Sequence, residues 1–232
     1  MNIVITGAGK GIGLSLVQRF LASAKNDDKI FALSRNIKQL QDIKTSKPYL
    51  FPIECDITNS KMLENAISLI FEKAHAIDFL VNNAGLVLNR PFTVIESIEI
   101  DNVFGTNFKA PFILIQKLLP LLTASKDAHI VNISSMGGFQ GAAKFAGLSV
   151  YSSSKAALAC LTECLAEEFK TTSIKINALC IGAVETEMLS KAFPYYKAPI
   201  TAVEMAEFIF QFTCFNSKYI NGKVIPVALS TP

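Results

Sequence analysis

The chain has little of what marks a metal, nucleic-acid or disulfide protein. Its 232 residues include two histidines and five cysteines. No cysteines form a C-x-x-C pair, so neither a zinc knuckle nor a disulfide framework is encoded, and free thiols suit a reducing compartment. Cys160 and Cys164, one helical turn apart, read as buried small apolar residues. Charge is sparse and balanced: 22 basic and 19 acidic residues give +3. The basic residues are scattered, which excludes the footprint of a nucleic-acid binder. A glycine-rich turn begins at Gly7, leaving no room for a basic leader followed by an apolar region of about 7–15 residues. The most apolar stretch, Ala110 to Leu122, is interrupted by Gln116, Lys117 and two prolines, and it falls short of the roughly 20 residues that span a bilayer. The expectation is a cytoplasmic protein without nucleic-acid or membrane partners. His75 lies near a helix end and His129 opens a strand; each reads as a surface or capping residue, and no metal constellation is present. Repeats, linkers and low-complexity segments are missing too, so a single domain over residues 1–232 is expected.

Half of the residues are hydrophobic, and a chain of this length buries roughly 70–75% of its unfolded surface. Short β-branched runs alternate with helical stretches: Ile3–Thr6, Lys29–Leu33, Leu50–Glu54, Ile77–Val81, His129–Ile133, Ile174–Leu179 and Lys223–Val227. Runs apolar at consecutive positions are strands covered on both faces, and intervening helices make right-handed crossovers, so the fold is α/β with a parallel sheet. Thr93-Val94-Ile95-Glu96 and Thr201-Ala202-Val203-Glu204 both read as capping boxes at helix starts.

The first strand runs into Gly7-Ala8-Gly9-Lys10-Gly11-Ile12-Gly13 and then an amphipathic helix. Glycines allow positive φ and let backbone N–H groups approach a pyrophosphate at the helix N-terminus. Alone, the pattern fits either a nucleotide or a tight strand-to-helix turn. The second strand ends Leu33-Ser34-Arg35 without the carboxylate that would accept from a ribose 2′-hydroxyl, while Arg35 and Lys10 offer cations to a 2′-phosphate. This favours NADP(H) over NAD(H), the alternative being two solvated surface charges. Further on, Tyr151 and Lys155 are spaced i, i+4 on one helix face, so a lysine ammonium can lower the tyrosine pKa and make it a usable acid. Ser134-Ser135 ends a strand at the carboxyl edge of the sheet, where a hydroxyl reaches a ligand crevice.

These residues resemble the classical short-chain dehydrogenase/reductases over nearly the whole chain. The resemblance implies a Rossmann-type doubly wound sheet of about seven parallel strands with helices on both faces. It adds Asn83, Ala84 and Gly85 of Asn82-Asn83-Ala84-Gly85 to the cofactor site, and Asp56 and Ile57 at the adenine. Asn107 resembles the helix asparagine of a catalytic tetrad with Ser135, Tyr151 and Lys155, and would hold a water that links the lysine to solvent. Gly182-Ala183-Val184-Glu185-Thr186 resembles the segment that holds the nicotinamide carboxamide, so Gly182, Val184 and Thr186 join the cofactor set. The implied roles are Ser135 polarising a carbonyl, Tyr151 passing a proton, and Lys155 lowering the tyrosine pKa and binding the nicotinamide ribose. The chain departs from the family at Ile181, where proline is usual, in a short segment Glu187–Ile200 in place of a long lid, and in the ending Val227-Ala228-Leu229-Ser230.

The expected function is hydride transfer between NADP(H) and a small carbonyl or alcohol substrate; a non-catalytic NADP(H) sensor on the same fold is the alternative. Val103–Leu122 carries Phe104, Phe108 and Phe112 and is apolar around more of its surface than one core face requires. With the Tyr151 helix it is expected to pair subunits into a homodimer or homotetramer.

Overall fold

Alternation along the first strand divides the core in two. In a computed structural model that describes residues 1–215 and 219–229, Ile3 and Ile5 point to one side of the sheet and Val4 to the other, as the two-residue period of a strand requires. Seven parallel strands follow this scheme: β1 (Asn2–Thr6), β2 (Lys29–Ser34), β3 (Leu50–Glu54), β4 (Phe79–Asn82), β5 (His129–Ser135), β6 (Lys175–Ile181) and β9 (Val224–Val227). Their spatial order is β3-β2-β1-β4-β5-β6-β9. Helices α1 (Gly11–Ser23), α2 (Lys38–Lys44) and α8 (Ala202–Phe215) cover the Ile3 face. The Val4 face is covered by α3 (Ser60–Lys73), α5 (Ala110–Thr123) and the end of α6 (Ser149–Glu168). The α/β doubly wound sheet is as expected. The order reverses at β1 and β4, and a ligand crevice opens at such a switch point beyond the carboxyl ends of the strands.

β5 and β6 extend two residues beyond their apolar runs, because their pairing continues through Ser134 with Cys180 and Ser135 with Ile181. That extension carries Ser135 to the sheet edge. Beyond β6, the strands β7 (Val184–Glu185) and β8 (Ile200–Thr201) pair with each other and pinch the base of an excursion containing α7 (Glu187–Ala192). Ser230, the last residue of the unusual ending, lies outside the described residues. Among the described residues no helix is long and apolar enough to cross a membrane.

Three expectations are corrected. The Thr201 capping box forms, with Thr201 N–H donating to Glu204 (2.8 Å) and Glu204 N–H to the Thr201 hydroxyl (3.2 Å). The Thr93 box does not: Phe92–Val94 closes a 3-10 turn, and α4 (Ser97–Phe104) starts after Glu96, whose N–H donates to the Glu99 carboxylate at 3.0 Å. Glu99 is held there by Arg90 at 2.6 Å, which moves the helix start one turn along. Second, Cys160 and Cys164 are exposed. The buried stripe of α6 runs through Leu158, Leu161, Thr162 and Ala166, and both cysteines fall outside it. Third, His129 is fully buried. Its Nδ1 lies 3.0 Å from the Thr213 carbonyl and its Nε2 3.0 Å from the Asn177 amide, which makes it the neutral Nδ1–H tautomer bridging β5, β6 and α8. His75 is exposed, as expected.

Burial holds the His129 pKa down at about 4 from its ordinary 6.5. The unfolded chain therefore takes up this proton first as pH falls. Its contribution is complete above pH 6.5 and is lost between 6.5 and about 4, amounting to about 3 kcal/mol at the low end. Urea midpoints at pH 7 and pH 4.5 should differ more for the wild-type chain than for His129→Gln. Equal differences would remove this account of His129.

Candidate active site

The glycine turn is shaped by backbone geometry that few other residues tolerate. Gly7 has φ +66°, and a Cβ there would stand 2.8 Å from the Ala84 Cα. At Gly13 a Cβ would strike the Gly7 carbonyl, so helix and turn pack against each other without side chains between them. No side chain caps the N-terminus of α1, and its first turn contains no acidic residue. Its N–H donors and positive helix end are thus open to an anion.

The turn forms one wall of a cleft of about 230 Å³. Of the residues expected to bind cofactor, Gly7, Lys10, Gly11, Ile12, Gly13, Ser34, Arg35, Asp56, Ile57, Asn83, Ala84, Gly85, Tyr151, Lys155 and Thr186 line it. Gly182 and Val184 line a second, adjoining cavity of about 290 Å³, together with Ser135. Gly9 lines neither and packs instead against Ser34 and Asn36. Tyr151, Ile12, Ile181, Thr186 and Met188 border both spaces, so the phenol stands where they meet. The cleft fits a dinucleotide: uncapped helix donors at its centre and an arginine at its far end match the charges such a group carries.

At that far end, Asp56 accepts from the Thr58 N–H (2.9 Å) and hydroxyl (2.7 Å). Burial pushes its carboxyl up, but these bonds and the Arg35 charge together hold it below the usual value. Arg35 makes no ion pair among the described residues, whereas Lys10 is paired across the cleft mouth with Glu187 at 2.7 Å. Of these two cations, Arg35 alone is outside an ion pair among the described residues. Glu187 was not foreseen, because its partner lies 177 positions away in the chain.

Asn83 is committed to the turn, its side-chain amide donating to the Thr6 (3.0 Å) and Gly7 (3.3 Å) carbonyls. Asn107 is fully buried in a π-helical segment, Gly105–Lys109, between α4 and α5. The wider turn directs its side chain inward. There Oδ1 accepts from Leu86 N–H (2.8 Å), while Nδ2 donates to the Leu86 carbonyl and the Ser154 hydroxyl, both at 2.9 Å. Both amide donors are thus occupied by protein, and the side chain fixes Leu86 against α6. Ser154 passes the link on to the Tyr151 carbonyl at 2.7 Å. Ser134 donates to the Lys155 carbonyl at 2.8 Å.

The Ser135 and Tyr151 side chains stand near each other at this junction, and Ser135 accepts from Gly137 N–H at 3.1 Å. Burial raises the Tyr151 pKa, with the Ser135 side chain opposing it. The lysine ammonium donates to the Ile133 carbonyl at 2.7 Å, and burial brings its own pKa down to about 8. Thr186 caps α7 by accepting from Leu189 N–H at 3.3 Å.

Among known proteins, an oxidoreductase of Botryotinia fuckeliana (strain B05.10) is 32% identical over 188 residues, covering 79% of this chain and 65% of that protein. The chain thus spans just under two thirds of that relative's length. A carbonyl reductase from chicken fatty liver, solved with NADPH bound, is 27% identical and superposes with a TM-score of 0.88 over 97% of this chain and 95% of its own. 4-Hydroxyisoleucine dehydrogenase complexed with NADH is 25% identical, with a TM-score of 0.87 over 98% and 96%. The family profile described as short chain dehydrogenase matches residues 1–197, and the chain belongs to this family of oxidoreductases.

Proposed function

We propose that the protein is an NADP(H)-dependent carbonyl reductase or alcohol dehydrogenase acting on a small molecule. The observation that carries this reading is the placing of Ser135 and Tyr151 side by side where the cleft meets a second cavity, Tyr151 bordering both spaces and Ser135 lining the second. A nicotinamide supplies or removes the hydride. Ser135 donates to the carbonyl oxygen and polarises it, and Tyr151 delivers a proton to the same oxygen as negative charge develops there. The raised tyrosine pKa keeps the phenol protonated at neutral pH, which suits carbonyl reduction over alcohol oxidation. Lys155, with a pKa of about 8, remains mostly charged at pH 7, and its ammonium is placed to bind the ribose on the nicotinamide side. Asn107 is a positioning residue in this scheme. Gly182, Val184 and Thr186 hold the carboxamide end, and Asp56 and Ile57 the adenine.

Replacing Tyr151 by Phe should lower carbonyl reduction by a factor of roughly 10²–10⁴ while leaving the Kd for NADPH within twofold; substantial retained turnover would sink the acid assignment. Reduction by the wild-type enzyme should hold its rate at pH values below about 8, whereas oxidation of the alcohol should climb with pH.

The cofactor preference rests on Arg35. Arg35→Asp should cut kcat/KM for NADPH roughly ten- to a hundredfold, the worth of a hydrogen bond to a charged group. Glu187→Gln, which releases Lys10 from an exposed pair of little stabilising value, should tighten NADPH more than NADH. A tenfold preference of the wild-type chain for NADH would reject the assignment.

The same reading includes a homodimer or homotetramer. Phe112 is 41% exposed beside Phe108, and Cys160 and Cys164 lie bare on α6, so both helices present apolar surface that a second copy can cover. Light scattering at micromolar concentration should give at least twice the chain mass, and Phe112→Glu should reduce it. A strictly monomeric wild-type mass would overturn this part.

A further inference from the structure

The second cavity has an unusual lining for a site that receives a carbonyl compound. Among the described residues, no aspartate, glutamate, lysine, arginine or histidine lines it. Its walls are hydrocarbon and aromatic, formed by side chains such as Val87, Leu148, Leu189 and Phe193. Among the described residues that line it, four carry hydroxyls: Ser135, Tyr151, Thr186 and Tyr196. Ser135 and Tyr151 are taken by the reacting oxygen, and Thr186 is engaged with Leu189 N–H and the Val184 carbonyl. That leaves Tyr196, at the mouth, for any further polar group.

The rim is apolar as well. Phe145 (43% exposed), Met188 (37%) and Tyr196 (53%) are among the exposed large side chains of the described residues. All three line this cavity, one from the loop before α6 and two from the excursion carrying α7. The cation on that loop, Lys144, is outside the lining and donates to the Phe139 carbonyl at 2.6 Å. The walls are tied in place: Asn89 donates to the Ala192 carbonyl at 2.9 Å and Arg90 N–H to the Gly147 carbonyl at 3.0 Å. The shape is therefore preformed, and an apolar guest meets complementary surface without reorganisation. A carboxylate or phosphate placed there would lose its water without gaining a partner, and each extra hydroxyl of a polyol would be left unpaired.

We propose that the substrate is an uncharged, predominantly hydrocarbon ketone or aldehyde, cyclic or branched, whose carbonyl is its one strongly polar group. Two methionines in the lining, Met136 and Met188, adapt to irregular shapes, so several ring systems are accepted. This inference rests on the reductase reading and narrows it to one substrate class, excluding keto acids, acyl phosphates and sugars.

The test compares 2-decalone, 4-oxocyclohexanecarboxylate and L-sorbose with the intact enzyme and NADPH. Decalone should exceed each of the others by about a hundredfold in kcat/KM, the penalty expected for an unpaired charge or for several unpaired hydroxyls. Equal or better turnover of the keto acid or the sugar overturns the substrate class and leaves the reductase reading standing. Phe145→Lys, which adds a cation at the rim without touching the cofactor cleft, should raise kcat/KM for the keto acid and lower it for decalone, with the Kd for NADPH unchanged. If no compound turns over, calorimetry of decalone with the NADP⁺ complex decides. Saturable binding that weakens in Phe145→Lys keeps the apolar-ligand inference and counts against the reductase reading alone; failure to bind overturns the inference.

Discussion

Asn83 holds the crevice together. Its side-chain amide donates to the carbonyls of Thr6 and Gly7, and its own N–H, with that of Ala84, donates to the Thr6 hydroxyl. β1 and β4 are neighbours where the strand order reverses, so the chains leaving them turn toward opposite faces of the sheet. These four bonds oppose that divergence just past the strand ends. They fix the glycine turn and the Asn83–Leu86 segment as two lips of one cleft. The connection then continues, since Leu86 is clasped on both its N–H and its carbonyl by Asn107, Asn107 reaches Ser154, and Ser154 reaches the Tyr151 carbonyl. A chain of hydrogen bonds and short backbone steps thus joins the phosphate-shaped turn to the helix that carries the phenol. Each member is buried or partly buried, where an unmade bond is costly, and the two halves of the site are located relative to each other by that cost.

Features set by local chemistry were legible in the sequence. Consecutive apolar residues marked the strands of a sheet covered on both faces, and the glycine turn, the Tyr151–Lys155 spacing and the Thr201 box each depend on neighbours within a few positions. What depends on distant partners was not legible. The Lys10–Glu187 pair joins the glycine turn to α7, and His129 is buried only because Asn177 and Thr213 come from two other elements to meet its ring. Cys160 and Cys164 were misplaced because α6 is rich in small residues around its circumference, so periodicity alone did not say which stripe meets the core. The π-helical turn at Gly105–Lys109 adds one residue to a helical period, which sequence spacing does not reveal, and it decides that Asn107 faces inward.

The same division explains the tyrosine. Proximity of charge was readable from i, i+4 spacing, and it argued for a lowered phenol pKa. Burial was not readable, and in the structure it pushes the phenol up and the lysine down to about 8. Both shifts favour the uncharged form, as desolvation always does. Burial of the phenol thus favours its protonated form over a phenolate.

Polarity changes steadily along the crevice, and the hydroxyl pair stands at the boundary. Arg35 and Lys10 lie toward one end, where both groups meet solvent and an anion can be attracted from a distance. The middle is backbone, with N–H donors at the start of α1 that carry no net charge. Among the described residues, the far cavity is lined by no ionisable group apart from the Tyr151 phenol and the polar tip of Tyr196. A hydrogen bond formed from Ser135 or Tyr151 into that cavity operates in a low local dielectric, where its electrostatic strength is greatest. The charged end can thus recruit and orient an anion without screening the uncharged end. On the proposed reading, this separation lets one small domain combine affinity for a phosphorylated cofactor with strong polarisation of a neutral carbonyl, because the charges that serve the first purpose are kept away from the cavity that serves the second.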